Sequence, residues 1–315
     1  MAVGKEDNMR LGFALPQVGS VAGPENIITV AKRAEVLGFD GLWVLDRLLY
    51  PVNPKAPYPV GDGSLPEKYK HTIDPLEALT FAAAHTRVAG LGTSVLNLPW
   101  YNPVLLARQL TTLDILSGGR LRVGFGMGWS PDEYEAVGTP WQERGNRADE
   151  LIRALKMIWM TDPVEFRGAY YQIPKSFIGP KPVQKPHPPI YMAAYTPSAM
   201  RRVAKEADGW FPVGVPIGGI AQMFEGIKGM AREAGRDPGA LELIVRANVE
   251  FSKAKIGKDR AEFTGTLEQI SGDIMATRNV GAAELLFDIQ FSPGVDAVDD
   301  IIARMEQLWQ IAQSS

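Results

Sequence analysis

A few short stretches carry residue types that could do chemistry. Gly124-Phe125-Gly126-Met127-Gly128-Trp129 is a glycine-rich run that ends an apolar segment. Without side chains, such a strand end bares backbone N–H groups to an anion and lets a ligand approach closely. The run is not a full dinucleotide fingerprint, because its third glycine would fall at 129, which is Trp129. A tight strand-to-loop turn accounts for it equally well. Thr93-Ser94 sets two hydroxyls inside an apolar run, which fits hydrogen bonding at a barrel mouth or ordinary strand-end polarity. Asp46-Arg47 closes another apolar run. That pair could contact a cofactor, meet an anionic ligand or form a surface ion pair. Trp43, Trp100, Trp129 and Tyr195 fall near strand ends, where a flat aromatic ligand could stack.

Other chemistries lack their residues. The 315-residue chain has no Cys, which removes disulfides, thiolate nucleophiles and cysteine-ligated metals. Its three His (His71, His85 and His187) stand at neither metal nor triad spacing. His85 reads as structural at a helix end. There is no G-x-S-x-G, Walker or H-E-x-x-H sequence, so hydrolytic and phosphoryl-transfer templates find no support. Thirty-three basic residues against 36 acidic ones leave a net charge of −3, which does not fit a nucleic-acid binder. No apolar run reaches the ~18 residues of a membrane span. The opening MAVGKEDN is polar, without the apolar core of a secretory signal, so a cytoplasmic location is expected. Residues 1–8 read as a disordered tail before a single domain over 9–315.

The elements that must position these residues alternate along the chain. Strands are expected at Met9–Leu15, Gly41–Leu45, Val88–Val95, Leu121–Phe125, Pro189–Ala194, Gly209–Val213, Leu241–Phe251 and Glu284–Ile289. Between them lie helices with apolar residues at i, i+4 and i+7, such as Ile27, Ala31 and Ala34. Pro24, Asp74-Pro75 and Asn102-Pro103 mark helix starts, and Gly38 and Gly118-Gly119 mark ends. Further helices are expected at about 146–160, from Pro197, and at 217–234, 266–278 and 298–311. Eight strands apolar on both faces, each followed by a helix, point to an α/β fold, a closed (β/α)8 TIM barrel, rather than an open doubly wound sheet. Two insertions break the rhythm, one after strand two and one after strand four. Tyr50–Pro66 holds five Pro and two Gly, and Thr161–Pro189 combines a hairpin-like VEFRGAYYQI with a proline run. Both are expected to act as lids over a pocket at the barrel mouth.

Taken together, AKRAEVLGFDGLWVLDR (31–47), LGTSVLNLPWYNPVLLARQLTTLDILSGGRLRVGFGMGW (91–129), PKPVQKPHPPIYMAA (180–194) and KEADGWFP (205–212) resemble the luciferase-like monooxygenase family. The resemblance is to its branch that uses the deazaflavin coenzyme F420. It implies a cofactor at the C-terminal mouth of the barrel. By position, Asp46 resembles a residue that contacts the deazaflavin ring. Ser94 and Val95 match a non-prolyl cis peptide behind the ring, and Asn97 a polar neighbour of the ring or its ribityl chain. Gly126, Met127, Gly128 and Trp129 match a loop whose amides face the cofactor phosphate. Ala193, Ala194 and Tyr195 match a second backbone cradle for the same tail. Many relatives have Asp-His where this chain has Asp46-Arg47. Arg47 stays charged and cannot serve as a general acid, but it can bind a carboxylate or steady developing negative charge. The catalytic acid is unassigned, with Glu133 and Tyr134 as weak candidates.

The resemblance therefore implies an oxidoreductase that passes a hydride between coenzyme F420 and a small organic substrate. Candidate substrates are an alcohol or ketone, an activated alkene or a sugar phosphate. The alternatives are an FMN-dependent monooxygenase on the same barrel and a non-catalytic flavin-binding barrel. A nicotinamide enzyme of the Rossmann type is disfavoured, because the turn after the first strand reads Pro16-Gln17-Val18-Gly19. A homodimer packed through the helices after strands two and three is expected, with no nucleic-acid or membrane partner.

Overall fold

The computed structural model describes residues 9–314, and the expected tail at 1–8 lies outside them. The strands run β1 (Arg10–Ala14), β2 (Gly41–Val44), β3 (Gly90–Thr93), β4 (Leu96–Asn97), β5 (Leu121–Gly126), β6 (Val164–Arg167) and β7 (Gln172–Ser176). They continue as β8 (Ile190–Met192), β9 (Gly209–Trp210), β10 (Glu242–Asn248), β11 (Glu250–Phe251), β12 (Thr264–Gly265) and β13 (Glu284–Asp288). The helices are α1 (Pro24–Leu37), α2 (Pro75–His85), α3 (Pro103–Ser117), α4 (Pro131–Ala136), α5 (Arg144–Met160), α6 (Pro197–Glu206), α7 (Ile217–Glu233), α8 (Leu267–Asn279) and α9 (Val298–Ser314).

β1, β2, β3, β5, β8, β9, β10 and β13 pair in parallel in that order, and β13 returns to β1. The sheet is thus a closed eight-position barrel with helices outside, the architecture expected of the repeating pattern. Local signals act as read. Asp74 and Asn102 accept hydrogen bonds from the first-turn amides of α2 and α3. Gly38 and Gly118 end α1 and α3 in the left-handed conformation.

The barrel has two cores. The larger lies between the strands' outer faces and the helices. The smaller fills the barrel and consists of Ala14, Trp43, Tyr191, Phe211, Ile244 and Leu286. Trp43 occupies the middle, fully buried, and its Nε1 donates to Glu284 Oε1 at 2.8 Å. Strands around it carry glycine where they face it. A Cβ on Gly92 would lie 2.2 Å from the Trp43 ring, and one on Gly12 would lie 2.6 Å from its Nε1.

Two expectations need correction. The third strand does not run unbroken over Val88–Val95: β3 stops at Thr93, a cis peptide joins Ser94 to Val95, and the chain re-enters the sheet as β4 against β5. The second insertion is also no lid. Thr161–Pro189 follows α5, which has already carried the chain back toward the N-terminal ends of the strands. There the Asp114 carboxylate at the end of α3 accepts from Val183 and Gln184, and the Gln184 side chain reaches Leu121 O where β5 begins. Lys181 bonds the last carbonyls of α5, and the β6–β7 turn is held by Glu150 on that helix's flank. Only the first insertion reaches the mouth.

Because the Trp43 ring cannot move within this filled interior, Gly92→Ala should destabilise the fold by about 1–3 kcal/mol, the usual cost of overpacking. Denaturant unfolding checks this. An unchanged midpoint would mean that Trp43 does not pack as described.

Candidate active site

The wall of the mouth begins where the third strand breaks. Thr93 replaces the missing ladder bonds with its side chain. Its Oγ1 donates to Gly124 O at 2.8 Å and accepts from Gly124 N at 2.9 Å. Ser94 N donates to Val44 O, so the polar pair within this strand is fully engaged in hydrogen bonding. Ser94 O accepts from Arg246 Nη1 at 2.7 Å, and the same nitrogen lies 3.2 Å from Ser94 Oγ. Arg246 reaches across from β10 and is itself paired with Asp288 at the end of β13. A buried ion pair from the seventh and eighth barrel positions thus holds the carbonyl of the third.

Asp46 stands at the end of β2, partly exposed at the mouth. Its Oδ2 accepts from Asn97 N and from the Tyr101 hydroxyl, both at 3.0 Å. Burial of the carboxyl pushes its pKa up to about 7, against the pull of those two donors. Glu133 and Asp74 add like charge nearby. Asp46 and Arg47 are adjacent but do not pair. Arg47 turns to Glu133 on α4, at 2.8 Å, with both side chains almost fully buried. Glu133 also accepts from Leu48 N at 2.9 Å. Burial holds the Glu133 pKa above its usual value, with Arg47 as the chief counterweight. Tyr134 donates to Met127 O and so braces the glycine loop. Neither weak candidate for a catalytic acid presents a free acidic group here.

The first insertion closes over this pair. The Arg47 guanidinium lies between the Tyr69 and Trp129 rings, 4.7 and 4.9 Å from their centroids. Tyr58, from the insertion, stands edge-on to Trp129 and Tyr69, and its hydroxyl lies 3.3 Å from that of Tyr69. Sequence reasoning assigned no role to Tyr58, Tyr69, Tyr101, Arg246 or Asp288. Arg246 and Asp288 lie far from the motifs in sequence, and only barrel closure brings them to the mouth; Tyr101 lies four residues after Asn97 and Tyr58 within the first insertion, but neither type nor spacing marked them.

On the glycine side, a Cβ at Gly126 would meet Val95 Cγ2 at 2.4 Å. Gly128 adopts a positive φ and packs on Asn97 and Trp100. Ala193 N bonds Phe125 O, Ala194 O accepts from Trp210 Nε1, and half-exposed Tyr195 accepts from Val213 N. Asp46, Ser94, Val95, Asn97, the loop 126–129 and the stretch 193–195 therefore share one rim, while His71, His85 and His187 lie apart from it. The same rim gathers buried polar atoms without a partner among the described residues: Arg47 Nε, Trp100 Nε1, Ser130 Oγ, Arg246 Nε and Ser292 Oγ. Each such atom costs about 1–3 kcal/mol when left unmet, so together they mark a surface built to receive a polar ligand. Among the described residues no cluster of His, Asp or Glu could hold a metal, and no helix is long and apolar enough to cross a membrane.

Residues 9–278 match the family described as luciferase-like monooxygenase. An uncharacterised protein of Mycobacterium tuberculosis is 35% identical over 233 residues, which is 72% of this chain and 80% of that one. An FMNH(2)-dependent dimethylsulfone monooxygenase of Pseudomonas putida is 34% identical, over 59% of this chain and 52% of its own. An F420-dependent glucose-6-phosphate dehydrogenase of Amycolatopsis mediterranei is 31% identical, over 60% and 53%. These last two matches span about half the length of each enzyme. Among solved structures, the monooxygenase RslO1 from Streptomyces bottropensis superposes with a TM-score of 0.78 at 22% identity, covering 97% of this chain and 99% of that one. An F420-dependent secondary alcohol dehydrogenase in complex with an F420-acetone adduct gives 0.76 at 18% identity, covering 96% and 99%. At those identities the superpositions show the shared barrel alone.

The Asp46 environment has a measurable consequence for stability. Its folded pKa lies above the unfolded value, so the folded state keeps its proton as the unfolded state loses it. Stability from this group is therefore full at low pH and falls as pH rises from about 4 to about 7. Asp46→Asn removes that loss, so its melting temperature relative to the parent should rise between about pH 4 and about pH 7 and level off above. A difference that stays flat, or falls, across that window would show that Asp46 is ionised throughout.

Proposed function

The chain belongs to the luciferase-like monooxygenase family, and from that premise we propose that it passes a hydride between deazaflavin coenzyme F420 and a small organic substrate. That it is an oxidoreductase of the flavin and deazaflavin type follows from the family. The choice of F420 rests on the branch resemblance of the motifs and on one observation at the mouth. Asp46 is a carboxyl that keeps a proton close to neutral pH, and hydride transfer to an organic acceptor must be matched by a proton.

The residues present fit such a cofactor. The rim offers backbone at Gly126–Trp129, where glycines at 126 and 128 let the loop pack close on Val95, Asn97 and Trp100. Trp100 Nε1 and Ser130 Oγ lie buried and unmet beside it. When bound there, the deazaflavin would supply the hydride donor or acceptor. The chain's own tasks are those of a scaffold and a proton holder. The Ser94–Val95 peptide, fixed by Arg246, would back the ring, with Asn97 beside it. The loop 126–129 and residues Ala193, Ala194 and Tyr195 would hold the tail. Asp46 keeps its proton at Oδ1, since Oδ2 accepts from Tyr101 and Asn97, and burial holds it there against the pull of those two donors. Arg47 holds the rim together through Glu133. Tyr58, Tyr69 and Trp129 exclude water.

A second reading, an FMN-dependent monooxygenase, is favoured by the 34% identity to the Pseudomonas enzyme. A homodimer is also part of the proposal, with exposed Phe81 on α2 and Leu105 and Leu116 on α3 as the apolar surface it would cover.

Titration of the protein with F420 and with FMN, followed by tryptophan quenching, separates the readings. The deazaflavin should bind at least about tenfold more tightly. Tighter FMN binding would move the protein to oxygen-using flavin chemistry, and binding of neither would end both proposals. Gly126→Ala sets a Cβ against Val95 and should lower the melting temperature, but, measured well below that melting point, it should also weaken binding of the preferred cofactor by about tenfold or more. Parent-like affinity in that variant would remove the glycine loop from the site.

A further inference from the structure

Tyr58 is anomalous in its surroundings. Residues 52–55, 57 and 59–62 of the insertion are exposed, yet Tyr58 is drawn half under the surface. Its ring meets Trp129 at 5.4 Å and Tyr69 at 6.1 Å, both edge-on. Its hydroxyl lies 3.3 Å from that of Tyr69, whose ring faces the Arg47 guanidinium at 4.7 Å. A flat ring bearing one hydroxyl therefore sits at the mouth, its oxygen against Tyr69 and the ring beyond it stacked on the Arg47 guanidinium.

The charges around it are already matched. Arg47 is paired with Glu133 and Arg246 with Asp288, and all four side chains are nearly buried. A phosphate or carboxylate entering here would meet no spare cation from these two arginines and would face the Glu133 carboxylate as well. A neutral oxygen needs only a donor. The Nε atoms of Arg47 and Arg246 are buried and unmet in the same place.

We propose that Tyr58 occupies the substrate's seat, and that the substrate is a flat, uncharged ring compound with a carbonyl or hydroxyl oxygen, which enters by displacing Tyr58. This deepens the reading given above by naming the substrate class of the same mouth. It disfavours a sugar phosphate. A self-occupied seat also lowers apparent affinity by the fraction of time it is filled, so removal of the tyrosine tightens binding.

The probe is para-cresol, the side chain of tyrosine as a free molecule, with para-toluate as its anionic counterpart. Calorimetric titration should show Tyr58→Ala binding para-cresol about tenfold or more tightly than the parent, with no such gain for para-toluate. An independent reading uses the parent chain. Lys55 is exposed in the same insertion, so displacement of Tyr58 by para-cresol should speed tryptic cleavage there about threefold or more, and para-toluate should not. Equal cresol affinity in parent and variant, cleavage unmoved by cresol, or an equal effect of toluate would each overturn the proposal. Both measurements need no cofactor. Their failure leaves the cofactor titration standing, and failure of that titration leaves them standing.

Discussion

One indole fixes the geometry of this barrel. Trp43 fills the space that eight short strands would otherwise leave hollow, and its ring can do so only because Gly12 and Gly92 present no side chain to it. Its Nε1 is anchored by Glu284, a carboxylate with no exposure that also pairs with Arg122 and Arg10. A buried charge with three donors is costly to break and has one satisfactory arrangement. The lower barrel is thus a fixed plug. Everything above Trp43, where the third strand breaks and the rim begins, is built on that floor.

The rim is held by polar contacts rather than by packing. Asp288 accepts from both Arg246 and Gln290 N. The Gln290 side chain accepts from Gln17 N, and Gln17 in turn bonds Leu45 N, Leu45 O and Ile73 O. Arg246 carries the same network to Ser94. Strand ends from the first, second, third, seventh and eighth barrel positions are therefore joined through buried side chains. A surface tied in this way can leave several polar atoms unmet without collapsing onto them, which is a condition for a preformed ligand site.

The barrel was legible because its strands are apolar on both faces and its helix starts and stops carry Pro, Asp, Asn and Gly at their proper places. The break at Ser94-Val95 was legible only through family resemblance, since local pattern favours one strand across Val88–Val95. The placement of Thr161–Pro189 was misread because order in the chain was taken for order in space. A loop directly after a barrel strand lies at the mouth, but one reached through α5 lies at the opposite end. Arg246 and Asp288 looked like ordinary strand residues, and nothing near them in sequence announces Ser94 as their partner. Glu133 was noticed as an acid, but its pairing with Arg47 is visible only once α4 folds over the end of β2.

The Arg47–Glu133 pair bears on the departure from the Asp-His pattern. A histidine beside Asp46 could share a proton with it. Arginine cannot, and an arginine aimed at Asp46 would hold that carboxyl ionised. Here the guanidinium is taken up by Glu133 and clasped between two aromatic rings, so its charge is matched away from Asp46. Asp46 is left without a cation in a desolvated setting, which outweighs the pull of its two neutral donors and is why its carboxyl keeps a proton close to pH 7. On the proposed reading, the proton sits on Asp46 itself, and the pairing of Arg47 with Glu133 makes that possible. The same pairing keeps the mouth neutral and so favours an uncharged substrate above it.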